Sequence, residues 1–436
     1  MINRIAVITL GCSKNVVDSE FLIAQLEANN FTVTHDSLSS EPQIVIINTC
    51  GFIEDAKQES INTILEYVQG KEQGYVTQLY VMGCLSERYK EALQQEIPEV
   101  DGFYGVLGKQ NGTELLKSLD ATYKETEQFK RTTTTPDHYA YLKIAEGCNH
   151  TCAFCAIPLI KGTYKSRPHE ELIAESKLLA AKGVKELILI AQDTSFYGRE
   201  LYKSFKLSEL IKEISDIEGI EWIRLQYMYP NYLPIDVLEE MRDNEKVCNY
   251  VDLPFQHISD RMLKIMKRNI SKDQVIQTIK QCRDIVPEIV LRTTLLVGHP
   301  GETESDFETL YSFVEEMQFD RLGVFSYSHE DNTYAFNNYE DDVPEEVKQQ
   351  RTHEIMELQQ QISYELNSQK INNVYPVIID RKEGSSYIGR TQYDAPEVDG
   401  EVIIPNDSNS RLIKPGGIYS VKITDYTEYD LYGKLV

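Results

Sequence analysis

The chain has 436 residues, 41% of them hydrophobic, which is too long for one ordinary core and enough for two or three. Its 44 basic and 69 acidic residues leave a net charge of −25, which counts against a polyanion partner, because nucleic-acid affinity rests on basic residues displacing phosphate counterions. No segment reaches the uninterrupted apolar length of a membrane span and the opening MINRIAVITLGC lacks a signal-peptide layout, so a cytoplasmic protein with no membrane partner is expected.

Residues 1–125 alternate strand and helix patterns. IAVITL (Ile5–Leu10), IVIINT (Ile44–Thr49) and QLYVMG (Gln78–Gly83) read as buried strands, each followed by a helix pattern. Short apolar runs alternating with helices predict a parallel sheet covered on both faces. Each strand is followed by a cysteine: Cys12 in LGCSKN, Cys50 in NTCGF and Cys84 in MGCLSE. Parallel strands bring their carboxyl ends to one edge, where ligands bind in open sheets, so three distant thiols can meet there. The plainer reading is three unrelated buried cysteines, since a free thiol packs as a small hydrophobe.

The polar, Thr-rich segment 126–138 reads as a linker. Residues 139–366 then repeat strand and helix six times, with strands AYLKIA, ELILIA, WIRLQYM, YVDLPFQ, EIVLRTTLLVG and RLGVFSYS. Six such units fit a partial TIM-like (β/α) barrel, whose chemistry sits at the C-terminal strand ends. A long polar helix pattern closes this region. From 367 to 436, short strands separated by Gly, Pro and Asn turns predict a small five-stranded OB-like barrel. It carries ten acidic and eight basic residues from Lys370 to Val436, and so is no basic clamp.

EGCNHTCAFC places Cys148, Cys152 and Cys155 directly after the first barrel strand. In a reducing compartment, metal binding is the leading use of clustered thiols. Structural zinc takes four ligands, and here His150 could be the fourth; a 4Fe-4S cluster held by three thiolates leaves one iron open. A zinc-stabilised binding module without catalysis therefore stands beside the iron–sulfur reading.

CxxxCxxC with the aromatic Phe154 before its last cysteine, after the first strand of a six-unit βα repeat, resembles the radical S-adenosylmethionine enzymes. The resemblance implies a 4Fe-4S cluster on Cys148, Cys152 and Cys155. Its open iron would chelate S-adenosylmethionine, and electron transfer would release a 5′-deoxyadenosyl radical. The three-part organisation further resembles the methylthiotransferases, whose terminal barrel is called TRAM, and the likeness covers essentially the whole chain. It implies a second 4Fe-4S cluster on Cys12, Cys50 and Cys84 that carries the sulfur to be inserted. One S-adenosylmethionine would give a methyl group and another the radical, converting C–H to C–SCH3.

Within that family TLGCSKNVVDSE, WIRLQYMYP, YVDLPFQHISDRMLKIMKR and GRTQYDAPEVDG resemble the type that modifies the β-carbon of an aspartate in small-subunit ribosomal protein S-twelve. The runner-up is the type that modifies an adenosine of tRNA. Ribosomal proteins are basic, so the acidic charge suits that partner, free or ribosome-bound, and does not suit nucleic acid as a direct substrate. A flavodoxin or ferredoxin is the implied electron donor. Gln192 and Asp193 in AQDTS, with Arg292 and Thr293 on a central strand, are the further candidates for cofactor contacts; Asp193 could equally be a helix cap. Arg224, Gln226 and His257 hint at a polar interior or at structural pairing. The chain departs from the family pattern where KGTYKSRP has Lys161 and Lys165 in place of arginines, and where VGHPGET has His299 in place of phenylalanine. His299 is given no catalytic role, the acidic run 337–346 reads as a solvated loop and helix start, and Cys248 and Cys282 read as core.

Overall fold

The computed structural model of the chain describes residues 4–37, 43–125, 130–406 and 413–436, so residues 126–129 of the expected linker lie outside the described residues. The chain divides into two compact units. One comprises residues 1–135, 141–150 and 155–178; the other comprises 136–140, 151–154 and 179–436.

In the first unit, strands Arg4–Thr9, Ile44–Thr49 and Gln78–Gly83 form where the apolar runs predict. They pair in parallel within a five-stranded sheet, flanked by Thr32–His35 on one edge and Gly102–Phe103 on the other. The two edge strands escaped the sequence reading because TVTH and GF carry no apolar run. Alternation along the strands feeds two cores. Val45 and Ile47 pack with Ile64, Val68, Leu85 and Leu93 of helices Glu54–Glu72 and Cys84–Glu96. Ile44 and Ile46 pack on the opposite face with Leu22, Leu26, Leu115 and Leu116 of helices Ser13–Glu27 and Lys109–Ser118. Both faces are thus covered, as an all-parallel sheet requires. The described end of the linker is anchored in this unit: Arg131 is buried and pairs with Glu20 at 3.1 Å and Glu175 at 3.5 Å.

Six strands of the barrel region appear as two three-stranded sheets. Trp222–Leu225, Glu186–Ile190 and Tyr139–Lys143 lie in that order in one, and Tyr250–Asp252, Val290–Val297 and Arg321–Ser326 in the other. A parallel bridge between Ile223 and Val247 joins them, with Ile223 N donating to Lys246 O at 2.7 Å and Cys248 N to Ile223 O at 2.9 Å. Past that bridge Met228 N donates to Asp252 O at 3.0 Å, next to Tyr227, which takes a positive φ of 60°. The helix Glu345–Ser368 then leads to a closed five-stranded barrel of Val374–Glu383, Ser386–Arg390, Val402–Pro405, Leu431–Leu435 and Ile418–Tyr426, in that spatial order.

The segment from Arg390 to Asp399 ties this small barrel to the starts of the large barrel's strands. Arg390 reaches Glu186 at 2.9 Å, and Arg224 donates to the same carboxylate at 2.7 Å. Asp394 pairs with Arg321, and Asp399 accepts from the Tyr250 hydroxyl at 2.7 Å. Arg224 is therefore a structural pair rather than a lining of a polar interior.

Candidate functional site

The strand-end cysteines of the first unit are drawn together by backbone close approach. Gly11, at φ +91°, lies so near Cys50 that a Cβ there would stand 2.9 Å from its Sγ. Gly51 abuts the next loop, and a Cβ on it would stand 2.6 Å from the Leu85 backbone and 2.9 Å from the Cys84 carbonyl carbon. Asn15 binds the three ends further: its amide donates to Leu10 O at 2.8 Å and Thr49 O at 3.1 Å, and its carbonyl accepts from the Cys84 thiol at 3.9 Å. Cys12 is exposed, Cys50 half-buried and Cys84 buried, so the trio opens toward solvent through Cys12.

A buried charge knot adjoins this trio. Lys143 pairs with Asp18 and, at 2.7 Å, with Glu146; Lys161 stands 3.4 Å from Asp18 and 3.7 Å from Glu146. Cys84 itself packs against Ala156 and Ile160, one helical step before Lys161. Burial pushes the Cys84 thiol up to about 12, against the pull of the Lys161 charge. Burial alone would lower the Lys161 pKa, but Asp18 and Glu146 outweigh it and keep the ammonium charged. A fixed cation beside a buried thiol favours thiolate, the form that ligates iron. Lys161 thus keeps its charge where arginine was the family expectation, and the surrounding carboxylates engage it as a point charge.

The second trio sits in the loop after Tyr139–Lys143. In the first unit a two-residue ladder, Ala145–Glu146 against Lys165–Ser166, closes the loop's base, and Cys148 N donates to Gly162 O at 3.1 Å. His150 N donates to the Cys148 Sγ at 3.4 Å, a bond suited to a thiolate. In the second unit, Ala153 N donates to Met266 O at 2.9 Å and Ala335 N to Ala153 O at 2.7 Å, which fixes the middle of the loop. Cys152 meets a cation: the Arg268 guanidinium donates to its Sγ at 3.2 Å, and the Tyr229 hydroxyl lies 3.8 Å away.

The other expected contacts distribute unevenly. Phe154 is half-buried, edge-on to His299 at 6.4 Å between ring centres. Gln192 and Asp193 follow the strand Glu186–Ile190 at its C-terminal end; Asp193 is buried and accepts from the Ser195 hydroxyl, and its side chain makes no helix-capping bond. Arg292 and Thr293 lie instead in the first half of their strand. Arg292 stands 3.4 Å from Asp252 and 3.5 Å from Asp399, and the Thr293 hydroxyl donates to Leu253 O at 2.8 Å. Both have protein partners in the first half of that strand.

His257 is buried, with its Nδ1 accepting from Ile258 N and Ser259 N at 2.9 and 3.0 Å, a local cap. His299 is buried against Phe154, Tyr327 and Tyr339. Cys248 and Cys282 are buried core. Asn15, Asp18, Tyr229 and Arg268 were not singled out from sequence. For Arg268 the available signal was the charged pair Lys267–Arg268 just past the short helix Asp260–Ile265.

Among the described residues, no three His, Cys, Asp or Glu side chains converge as ligands of a single ion. A structural zinc takes four donors, whereas each cysteine set here offers three thiols. A 4Fe-4S cubane puts each thiolate on a different iron, so its ligands stand apart around a volume. Two all-thiol sets of three, beside fixed cations and N–H donors, fit that group.

Known proteins bear on this arrangement. The Radical SAM superfamily matches residues 142–314, the uncharacterized protein family UPF0004 residues 4–105, and the TRAM domain residues 371–436. The ribosomal protein uS12 methylthiotransferase RimO of Christiangramia forsetii is 55% identical over 99% of this chain and 94% of its own length. The protein of the same name from Phocaeicola vulgatus is 55% identical over 100% of this chain and 99% of its own. Among solved structures, the radical S-adenosylmethionine methyltransferase TsrM from Kitasatospora setae, determined with cobalamin and a [4Fe-4S] cluster, covers 75% of each chain with a TM-score of 0.54 at 14% identity. At that identity the likeness speaks to the fold.

Proposed function

The chain belongs to the family of ribosomal protein uS12 methylthiotransferases, and from that premise we propose how its residues divide the work. It is a radical S-adenosylmethionine enzyme that inserts a methylthio group at the β-carbon of an aspartate in uS12. The observation that carries this reading is the pair of all-cysteine trios, each at carboxyl strand ends, in a chain more than half identical to such enzymes over its whole length.

When bound, the cluster on Cys148, Cys152 and Cys155 supplies the electron that splits S-adenosylmethionine, and the one on Cys12, Cys50 and Cys84 presents the sulfur to be inserted. The protein's own part is positioning. Asn15, Gly11 and Gly51 hold three strand ends close enough for their thiolates to act together. Lys161 offsets negative charge at Cys84. Arg268 and the His150 amide donate to the thiolates of the second trio. Gln192, at the end of its strand, and Phe154, beside the third cysteine, are the side chains assigned to S-adenosylmethionine. Asp193 is assigned to holding that strand end in shape.

Residues 1–125 and 139–366 would each carry one cluster, and 367–436 would dock the substrate. No helix among the described residues is long and apolar enough to cross a membrane. A basic ribosomal protein, free or on the ribosome, suits a chain at −25, and a flavodoxin or ferredoxin in the cytoplasm would supply electrons.

Mass spectrometry of uS12 from cells with and without the gene tests the substrate; an added methylthio group only in its presence is expected. Anaerobic reconstitution tests the site, with about eight iron and eight sulfide per chain expected for two clusters. Cys148→Ala should abolish cleavage of S-adenosylmethionine, whereas Cys12→Ala should leave cleavage and stop insertion. Insertion surviving Cys12→Ala would overturn the division of labour.

A further inference from the structure

The loop after the strand Trp222–Leu225 and the turn at Arg268 converge on one ligand thiol, that of Cys152. Arg268 is 4% exposed. Its guanidinium lies over the Tyr229 ring at 4.5 Å and donates to the Cys152 Sγ at 3.2 Å and to the Pro254 carbonyl. A buried cation is costly unless paired, and here the thiolate is the negative partner its N–H groups address.

The surroundings hold this arginine in place. It sits between Lys267 and Asn269, both left-handed with φ of 56° and 52°, a conformation that non-glycine residues adopt at a cost. Its carbonyl accepts from the Tyr229 hydroxyl at 3.1 Å and from the Asn231 amide at 2.9 Å; the same amide donates to Asn269 O at 2.8 Å. Tyr229 is fixed in turn, since its backbone N donates to the Ser195 hydroxyl at 3.2 Å and that hydroxyl donates to Asp193. An unbroken chain of contacts therefore runs from Asp193 through Ser195, Tyr229 and Arg268 to Cys152.

We propose that Arg268, positioned by Tyr229 and the Asp193–Ser195 pair, is the residue that sets the reduction potential of the cluster held by Cys152. The inference rests on the reading of Cys152 as a cluster ligand. The physical ground is that charge and hydrogen bonds at cluster sulfurs tune the potential. An electron added to the cluster raises its negative charge, and a cation donating to a ligand sulfur stabilises that charge. Arg268 thus shifts the potential upward, toward what a cellular donor can reach. The same contact makes Asp193 a positioning residue that acts from a distance rather than a direct cofactor contact.

The test uses the full-length chain with Cys12→Ala and Cys50→Ala, so that one cluster remains, and titrates its midpoint potential by electron paramagnetic resonance. The expected result is a shift to more negative potential in Arg268→Met, a smaller one in Arg268→Lys, and an intermediate one in Tyr229→Phe. Cleavage of S-adenosylmethionine should fall with a mild reductant and recover with a stronger one, which a merely structural defect would not do. A potential unchanged in Arg268→Met, with its iron retained, overturns the proposal. If Arg268→Met takes up no iron, unchanged potentials in both Arg268→Lys and Tyr229→Phe overturn it instead. A parent protein that binds no four-iron cluster overturns the ligand assignment, and the proposal with it.

Discussion

Glu186 and Arg390 face each other at 2.9 Å with both side chains buried, one opening a strand of the large barrel and the other closing a strand of the small one. Arg224 donates to the second oxygen of the same carboxylate at 2.7 Å, and Asp380 holds Arg390 from its far side at 2.8 Å. One carboxylate thus serves two guanidiniums out of water.

Glu186→Gln is expected to be strongly destabilising. The amide keeps the shape but leaves two buried cations short of a charge partner, and breaking a buried pair in this way costs about 3–5 kcal/mol. Urea denaturation followed by circular dichroism should show the loss. Replacing exposed Glu383, whose partner Arg381 also pairs with Glu401, should change stability by less than about 1 kcal/mol.

Stability should also fall in acid through this seam. Burial would raise the pKa of Glu186, but Arg390 and Arg224 outweigh it and hold the carboxyl below the usual range. Asp380 and Asp394 are likewise held low against their burial, by His138 and Arg390 and by Arg321 and Lys370 respectively. Because the folded values lie below the unfolded ones, the stabilisation is complete above about pH 4–4.5 and is lost as pH falls through the lowered values. Denaturation midpoints measured from pH 7 to pH 3 should drop steeply at the low end, and Asp394→Asn should flatten part of that drop.

A second pH window belongs to His299. Burial lowers its pKa from 6.5 to about 4, and its Nδ1 lies 3.1 Å from Pro300 O, so the neutral ring donates there. The unfolded chain takes up this proton first, so stability should decline as pH falls from about 6.5 toward 4. His299→Phe, which suits the ring cage of Phe154, Tyr327 and Tyr339, should remove that decline without lowering stability at pH 7. Thermal melts at pH 7, 6 and 5 would show it.

Gly11→Ala should damage one cluster and spare the other. Its φ of +91° disfavours any side chain by about 1–2 kcal/mol, and the added methyl would press on Cys50 Sγ at 2.9 Å. Iron after anaerobic reconstitution should fall from about eight toward about four per chain, with cleavage of S-adenosylmethionine preserved.

The sequence made the strands that carry the cysteines legible because IVIINT and QLYVMG are continuous apolar runs, and each set its cysteine at a carboxyl end. TVTH and GF were invisible for the opposite reason: an edge strand of two to four residues needs no apolar run. The six barrel strands were readable in number, but not their division into two three-stranded sheets joined by a bridge at Ile223. Cys148, Cys152 and Cys155 announce themselves by spacing, whereas Arg268 lies 116 residues from Cys152 and only folding makes them neighbours. Arg292 shows a related limit, since a charge on a buried strand signals a partner without saying at which end of the strand it waits.

The GRTQYDAPEVDG segment has an evolutionary consequence. Its Arg390, Asp394 and Asp399 interlock with Glu186, Arg321 and Arg292 of the larger barrel. Here a transplant would bring unmatched charges into a dry seam, and excision would strand the arginines left behind. A change on either side of the seam would therefore need a matching change on the other for the pairing to survive.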